Sequence, residues 1–164
     1  MHDRSFLPAI GAECKINEIP EITMTTASQM LAPVIALVIW SAVIWTWMYA
    51  TRIPAIIQAR MVLDPMAPRG EQMAQLPARV RWKADNYNHL MEQPTLFYAV
   101  AISLAVLGDH SIASVALAWG YVVVRIVHSL VQTTWNKIEV RFALFFISSL
   151  VLFGLTYNAA MLVF

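Results

Sequence analysis

Glu92 and Arg125 are charged residues inside sequence that is otherwise apolar. Glu92 opens "EQPTLFYAVAISLAVLG", and Arg125 with His128 interrupts "SIASVALAWGYVVVRIVHSLVQTTW". Counted along a helix that starts near Pro77, Arg81, Asp85, Asn88 and Glu92 fall at i, i+4, i+7 and i+11, on one face. Tyr121, Arg125, His128, Gln132 and Trp135 repeat the rule on a later helix, with Trp135 at i+14. The two stripes offer carboxylates, guanidiniums and side-chain amides, a mixture suited to a zwitterionic ligand rather than to a single ion. Arg125 lies about ten residues from the helix end near Trp135, hence ~15 Å deep. A central arginine costs at least ~2.5 kcal/mol on insertion scales, and such residues face a bundle interior or a wet cavity. Glu92 is its expected partner. The plainer reading of that pair is structural, an ion pair joining two helices.

The elements that must hold these residues follow from composition. The chain has 164 residues, 59% hydrophobic and 13% charged, with a mean hydropathy of +0.61. A soluble domain would be about half apolar and a quarter charged. No charge occurs between Glu21 and Arg52, or after Arg141 to Phe164, and each stretch supplies the ~20 apolar residues that a membrane-crossing helix needs. Adding the two runs around Glu92 and Arg125 predicts an all-α fold, an integral membrane four-helix transmembrane bundle. A barrel is excluded, because its strands would alternate apolar and polar over ~10 residues whereas these runs are continuously apolar.

The first span is expected over Gln29–Ala50, with Trp40, Trp45, Trp47 and Tyr49 as interfacial aromatics and Pro54 punctuating the helix. Residues 51–83 form a polar connection carrying Arg52, Arg60, Arg69, Arg79, Arg81 and Lys83, and the connection before the last span carries Lys137 and Arg141. The loop "GDHS" has no Lys or Arg, so loops one and three are expected on the cytoplasmic side with both termini outside. Residues 1–23 hold two prolines and no periodic pattern. They read as a peripheral tail, and Met24 reads as a natural start for a single transmembrane domain over 24–164. Dispersed basic residues and a formal charge of +1 give no stripe for nucleic acid. The single cysteine, Cys14, gives neither a disulfide framework nor a cysteine metal site. His89 and His128 lack a second ligand, so no metal is expected; His89 reads as a surface or helix-contact residue.

Asn86, Asn88, Glu92, Pro94, Phe97 and Tyr98 form an N-x-N-x-x-x-E-x-P-x-x-F-Y pattern, "RIVH" spans Arg125 to His128, and Arg141 follows Arg125 by sixteen residues. In these features residues 29–164 resemble the MAPEG family, the membrane-associated proteins of eicosanoid and glutathione metabolism, in a bacterial-type branch. Prostaglandin-forming members carry the same R-x-x-H and a catalytic arginine at the same spacing. The resemblance implies a homotrimer in a bacterial inner membrane. It also implies glutathione as co-substrate and a lipophilic electrophile or peroxide reaching the site from membrane lipid.

Arg125 is then cast to fork a glutathione carboxylate and Glu92 to take the ammonium, with Asn88, His128, Gln132, Lys83 and Arg81 completing the binding set. Arg141 becomes the catalytic residue, its charge lowering the thiol pKa from ~8.5 toward neutrality. Gln132 replaces a tyrosine of the family, and Phe142 has no hydroxyl. The alternative reading is therefore a non-catalytic subunit of the same fold that binds a thiol, a lipid or a partner protein. A small transporter fits least, since neither broken helices nor internal repeats are visible in the sequence.

Overall fold

The first charge-free run folds as one long helix, α1, over Glu21–Gln58. The structure is a computed structural model that describes residues 21–68 and 70–164; the expected tail at 1–23 falls outside them except for the opening residues of α1. The helix does not stop at Ala50 but continues through Pro54, which lacks the N–H that would reach Ala50, and ends one turn later. A short helix, α2 (Glu71–Ala74), interrupts the polar connection. Then follow α3 (Ala78–Met91), α4 (Gln93–Val106), α5 (Ile112–Thr134) and α6 (Ile138–Val163).

Among the described residues three helices, α1, α5 and α6, are long and apolar enough to cross a membrane. The expected fourth pass is made of two pieces. α4 is apolar but has 14 residues, about 21 Å at 1.5 Å per residue, and α3 extends it with polar sequence. The break falls at Glu92, whose φ of −92° and ψ of −97° are not helical. Pro94 explains it: proline has no N–H to continue the ladder of α3 but is pre-formed for the first turn of a new helix. Thr95 seals the joint, its backbone N–H and its hydroxyl both donating to the Glu92 carbonyl, at 3.2 and 2.6 Å.

The bundle core is built on a buried stripe of α1, Met30, Val34, Leu37, Ile44 and Met48, at most 6% exposed. It meets Phe97, Ala101 and Leu104 of α4 and Tyr121 and Val122 of α5. Phe97 stacks on Tyr121 with ring centroids 4.4 Å apart and 15° between planes. Lipid tails are as apolar as leucine, so this packing is held by dispersion and interhelical hydrogen bonds rather than by escape from water. Asn158 of α6 donates to Ser114 of α5 at 3.0 Å in that role. Large apolar residues such as Ile39, Phe146 and Phe153 remain exposed on the outer faces of α1 and α6, as a lipid-facing surface requires.

The tight α4–α5 turn uses Gly108 at φ +75°, a left-handed conformation with no neighbour crowding its Cα. Asp109 accepts from the Ser111 N–H at 2.9 Å, and Ser111 caps α5 by accepting from the Ser114 N–H at 3.3 Å. Burial pushes the Asp109 carboxyl up, but hydrogen bonds from Ser114 and Ser111 and the nearby His110 outweigh it and hold the group below its ordinary value. Gly108→Ala is expected to lower stability by roughly 1–2 kcal/mol in thermal unfolding, the cost of a left-handed L-residue. Because the folded Asp109 is the stronger acid, its contribution is complete above the unfolded value near ~3.9 and is lost as pH falls through the folded one. Asp109→Asn should therefore flatten the acid limb of the wild-type melting temperature against pH.

Candidate functional site

Arg125 is buried, 2% exposed, on the inner stripe of α5 with Tyr121, His128, Ser129 and Gln132. Its Nη2 donates to Gln93 Oε1 at 2.6 Å and its Nε donates to the Tyr121 hydroxyl at 3.1 Å. The rings of Tyr121 and Phe145 each lie 5.6 Å from its guanidinium carbon. Gln93 is also tied to α6: its Oε1 accepts from Ser148 Oγ at 3.3 Å, and its Nε2 donates to Ser149 Oγ at 2.7 Å.

The expected Glu92–Arg125 ion pair does not form. Glu92 is 66% exposed and bonds His89, Oε2 to Nδ1, at 3.0 Å. The physical reason is the break. In a continuous helix Glu92 would lie about 20° from Arg81 around the axis, but α3 ends at Met91 and α4 restarts at Gln93. The joint turns Glu92 outward and Gln93 inward. Among the described residues no carboxylate lies within salt-bridge distance of Arg125.

A second cluster sits where α3, α5 and the start of α6 meet. Arg141 Nη1 donates to Asn136 Oδ1 at 2.6 Å, and its Nη2 lies 3.4 Å from His89 Nε2. Arginine can only donate, so this contact makes His89 Nε2 the acceptor and leaves Nδ1–H to donate to Glu92. His128 Nε2 lies 3.2 Å from Gln132 Oε1, which by the same logic makes Nε2 the donor and Nδ1 a lone-pair acceptor in the neutral ring. The rings of His89 and His128 approach edge to face, with centroids 6.3 Å apart. Asn86 donates to Ser129 Oγ at 2.5 Å.

Among the described residues, four buried atoms of this cluster have no hydrogen-bond partner: Asn86 Oδ1, His128 Nδ1, Gln132 Nε2 and Arg141 Nε. An unsatisfied buried polar group costs about 1–3 kcal/mol. Two donors and two acceptors on α3, α5 and α6 are thus left with hydrogen-bonding capacity that a polar ligand would satisfy.

The remaining expected residues are elsewhere. Lys83 is buried on α3, its Nζ donating to Arg79 O at 2.7 Å and lying 5.0 Å over the Trp47 ring. Arg81 and Asn88 line a separate cavity of about 490 Å³ between α3, the end of α1 and α2. Thus His128, Gln132 and Arg141 are brought together, Glu92 joins them only through His89, Arg125 is enclosed behind them, and Lys83, Arg81 and Asn88 are not part of the cluster. Among the described residues no three His, Cys, Asp or Glu side chains are placed to hold a metal ion. Sequence reasoning missed Gln93, Asn136, Ser148 and the role of His89. Pro94 was the available signal, since a proline two residues after Glu92 forecasts a change of helical register.

If Gln93 carries the buried guanidinium, Gln93→Leu should lower stability by roughly 1.5–3 kcal/mol, the usual worth of a hydrogen bond to a charged group. Glu92→Gln, at an exposed site, should stay within about 0.5 kcal/mol of wild type. Thermal unfolding of the two variants in the same detergent checks both values.

The MAPEG family model matches residues 30–161. No curated protein and no solved structure shows significant similarity to the chain. The matched region takes in all of α3 to α5, most of α1 and α6 and every residue of the cluster around Arg141, so this helical membrane bundle belongs to the MAPEG family.

Proposed function

We propose that the cluster around Arg141 binds glutathione and promotes attack of its thiolate on a lipophilic electrophile. The observation that carries this reading is the set of four partnerless buried atoms on α3, α5 and α6. Glutathione brings two carboxylates, an ammonium and a thiol. Gln132 Nε2 and Arg141 Nε are donors for anionic oxygen or sulfur, and Asn86 Oδ1 and the exposed Glu92 carboxylate are acceptors for N–H groups. His128 Nδ1 accepts a hydrogen bond from the ligand, and the thiol proton passes to water as the thiolate forms. Arg141 stabilises the thiolate, which is the nucleophilic form. The sulfur lone pair then forms a C–S bond while the leaving group departs with its bonding electrons. With a lipid hydroperoxide, two glutathiones would instead yield disulfide, alcohol and water.

In this scheme Arg125 is a positioning residue. It is spent on Gln93 and Tyr121, and it fixes the α4 and α5 faces that carry the cluster. Arg81, Lys83 and Asn88 drop out of the ligand set. The chain works as a homotrimer in a bacterial inner membrane, with the polar α1–α3 connection and the Arg141 end of α6 on the cytoplasmic side, where glutathione is plentiful. The competing reading, a subunit that holds a thiol, lipid or partner protein without turnover, draws support from Phe142. That residue follows Arg141, is 70% exposed and offers no hydroxyl.

The test is conjugation of glutathione to a generic aryl halide by the purified protein in detergent. Arg141→Ala should lower kcat by about 100-fold, as loss of one charge-stabilising donor does, while KM for glutathione changes by less than about threefold. Binding without turnover in the wild type would favour the non-catalytic subunit. The absence of both glutathione binding and turnover in the wild type would refute the transferase reading and leave only a subunit that holds a lipid or a partner protein.

A further inference from the structure

The helix α3 carries two polar faces. Asn86 and His89 turn toward α5 and α6, whereas Arg81, Asp85 and Asn88, at i, i+4 and i+7, line the cavity of about 490 Å³ shared with Arg52 of α1. Asn86 and Asn88 are about 200° apart around the helix axis. The cavity is therefore distinct from the glutathione cluster. Its volume falls in the range of small-ligand sites, roughly 300–1,000 Å³.

Its position and lining identify the ligand class. Trp45, Trp47 and Tyr49 mark the aromatic belt of α1, exposed at the level where hydrocarbon gives way to head groups. Lys83 sits over Trp47 at 5.0 Å and so sets α3 at that same level. The cavity begins at Met48 on this turn and continues to Arg52 one turn on, with Leu76 and Val80 as apolar wall. It thus joins an apolar wall to two guanidiniums and one carboxylate. Among the described residues neither Arg52, Arg81 nor Asp85 has a salt-bridge partner. Paired guanidiniums suit a phosphate, whose oxygens accept forked N–H donors. A carboxylate four residues from Arg81 would repel a purely anionic head group but would attract a primary ammonium.

We infer that this cavity binds a phospholipid whose head group carries both a phosphodiester and a primary ammonium, as phosphatidylethanolamine does. Arg52 and Arg81 hold the phosphate, Asp85 holds the ammonium, and the acyl chains extend from the cavity into the bilayer. The site ties the α1–α3 connection to the membrane surface. It operates whether or not the Arg141 cluster turns over glutathione.

Native mass spectrometry of the purified full chain tests this, with phosphatidylethanolamine, phosphatidylcholine and phosphatidylglycerol of matched acyl chains. Wild type should retain phosphatidylethanolamine about fivefold over phosphatidylcholine, the effect expected of one partly solvated ion pair. Arg52→Gln should weaken retention of both. Asp85→Asn, at an exposed position that does not endanger folding, should erase the preference between them and raise retention of phosphatidylglycerol. Equal retention of the three lipids by wild type would overturn the inference, as would a preference that survives Asp85→Asn. Displacement by soluble phosphoethanolamine at concentrations equal to the lipid would place the ligand in free solution and overturn the membrane source.

Discussion

A guanidinium enclosed in a membrane bundle, with no carboxylate beside it among the described residues, is the constraint on which the rest of this structure depends. Arg125 carries a full charge into an environment where a bare ion is costly, and it is accommodated by distribution rather than by neutralisation. A side-chain amide, a phenol and two aromatic faces share the task. Each recruits another helix. Gln93 brings the start of α4 and, through Ser148 and Ser149, the middle of α6; Tyr121 brings Phe97. The polar groups that serve Arg125 are thereby the same ones that fix how α4, α5 and α6 face one another.

That arrangement has a consequence for chemistry. Because the amide of Gln93 occupies the partner position, Glu92 is released to the outside of the joint, where it orients His89 toward Arg141. The charge at Arg141 is not quenched by a carboxylate in direct contact among the described residues; it is steered by an imidazole and by Asn136. One proline-induced break therefore separates a buried arginine that holds the bundle from a half-buried arginine beside partnerless hydrogen-bonding atoms. It also leaves the opposite face of α3 to the membrane edge.

Most of the fold was legible in the sequence because bilayer thickness acts directly on composition: charge-free runs of sufficient length at 29–50 and after Arg141 became α1 and α6. The end of α1 was misjudged because a proline near a helix end removes one hydrogen bond without stopping the chain from completing its turn. The site was legible in part. Arg125, His128 and Gln132 lie at i, i+3 and i+7, and α5 is unbroken over them, so their common face followed from periodicity alone. The same rule failed at Glu92 because it assumes one continuous helix, and α3 and α4 are two. The open atoms of Asn86, His128, Gln132 and Arg141 were not legible at all, since they arise from the relative rotation of three helices.

The central claim, that Gln93 and not Glu92 holds Arg125, is open to a direct distance measurement. Dipolar-recoupling NMR on protein in lipid bilayers can compare the ¹⁵N-labelled Arg125 guanidinium with the ¹³Cδ of Gln93 and with the ¹³Cδ of Glu92. Strong dephasing to Gln93 is expected, in keeping with the 2.6 Å Nη2 to Oε1 contact, and none to Glu92. Strong dephasing to Glu92 would mean that α3 runs on through the joint and that Arg125 is held by an ion pair after all.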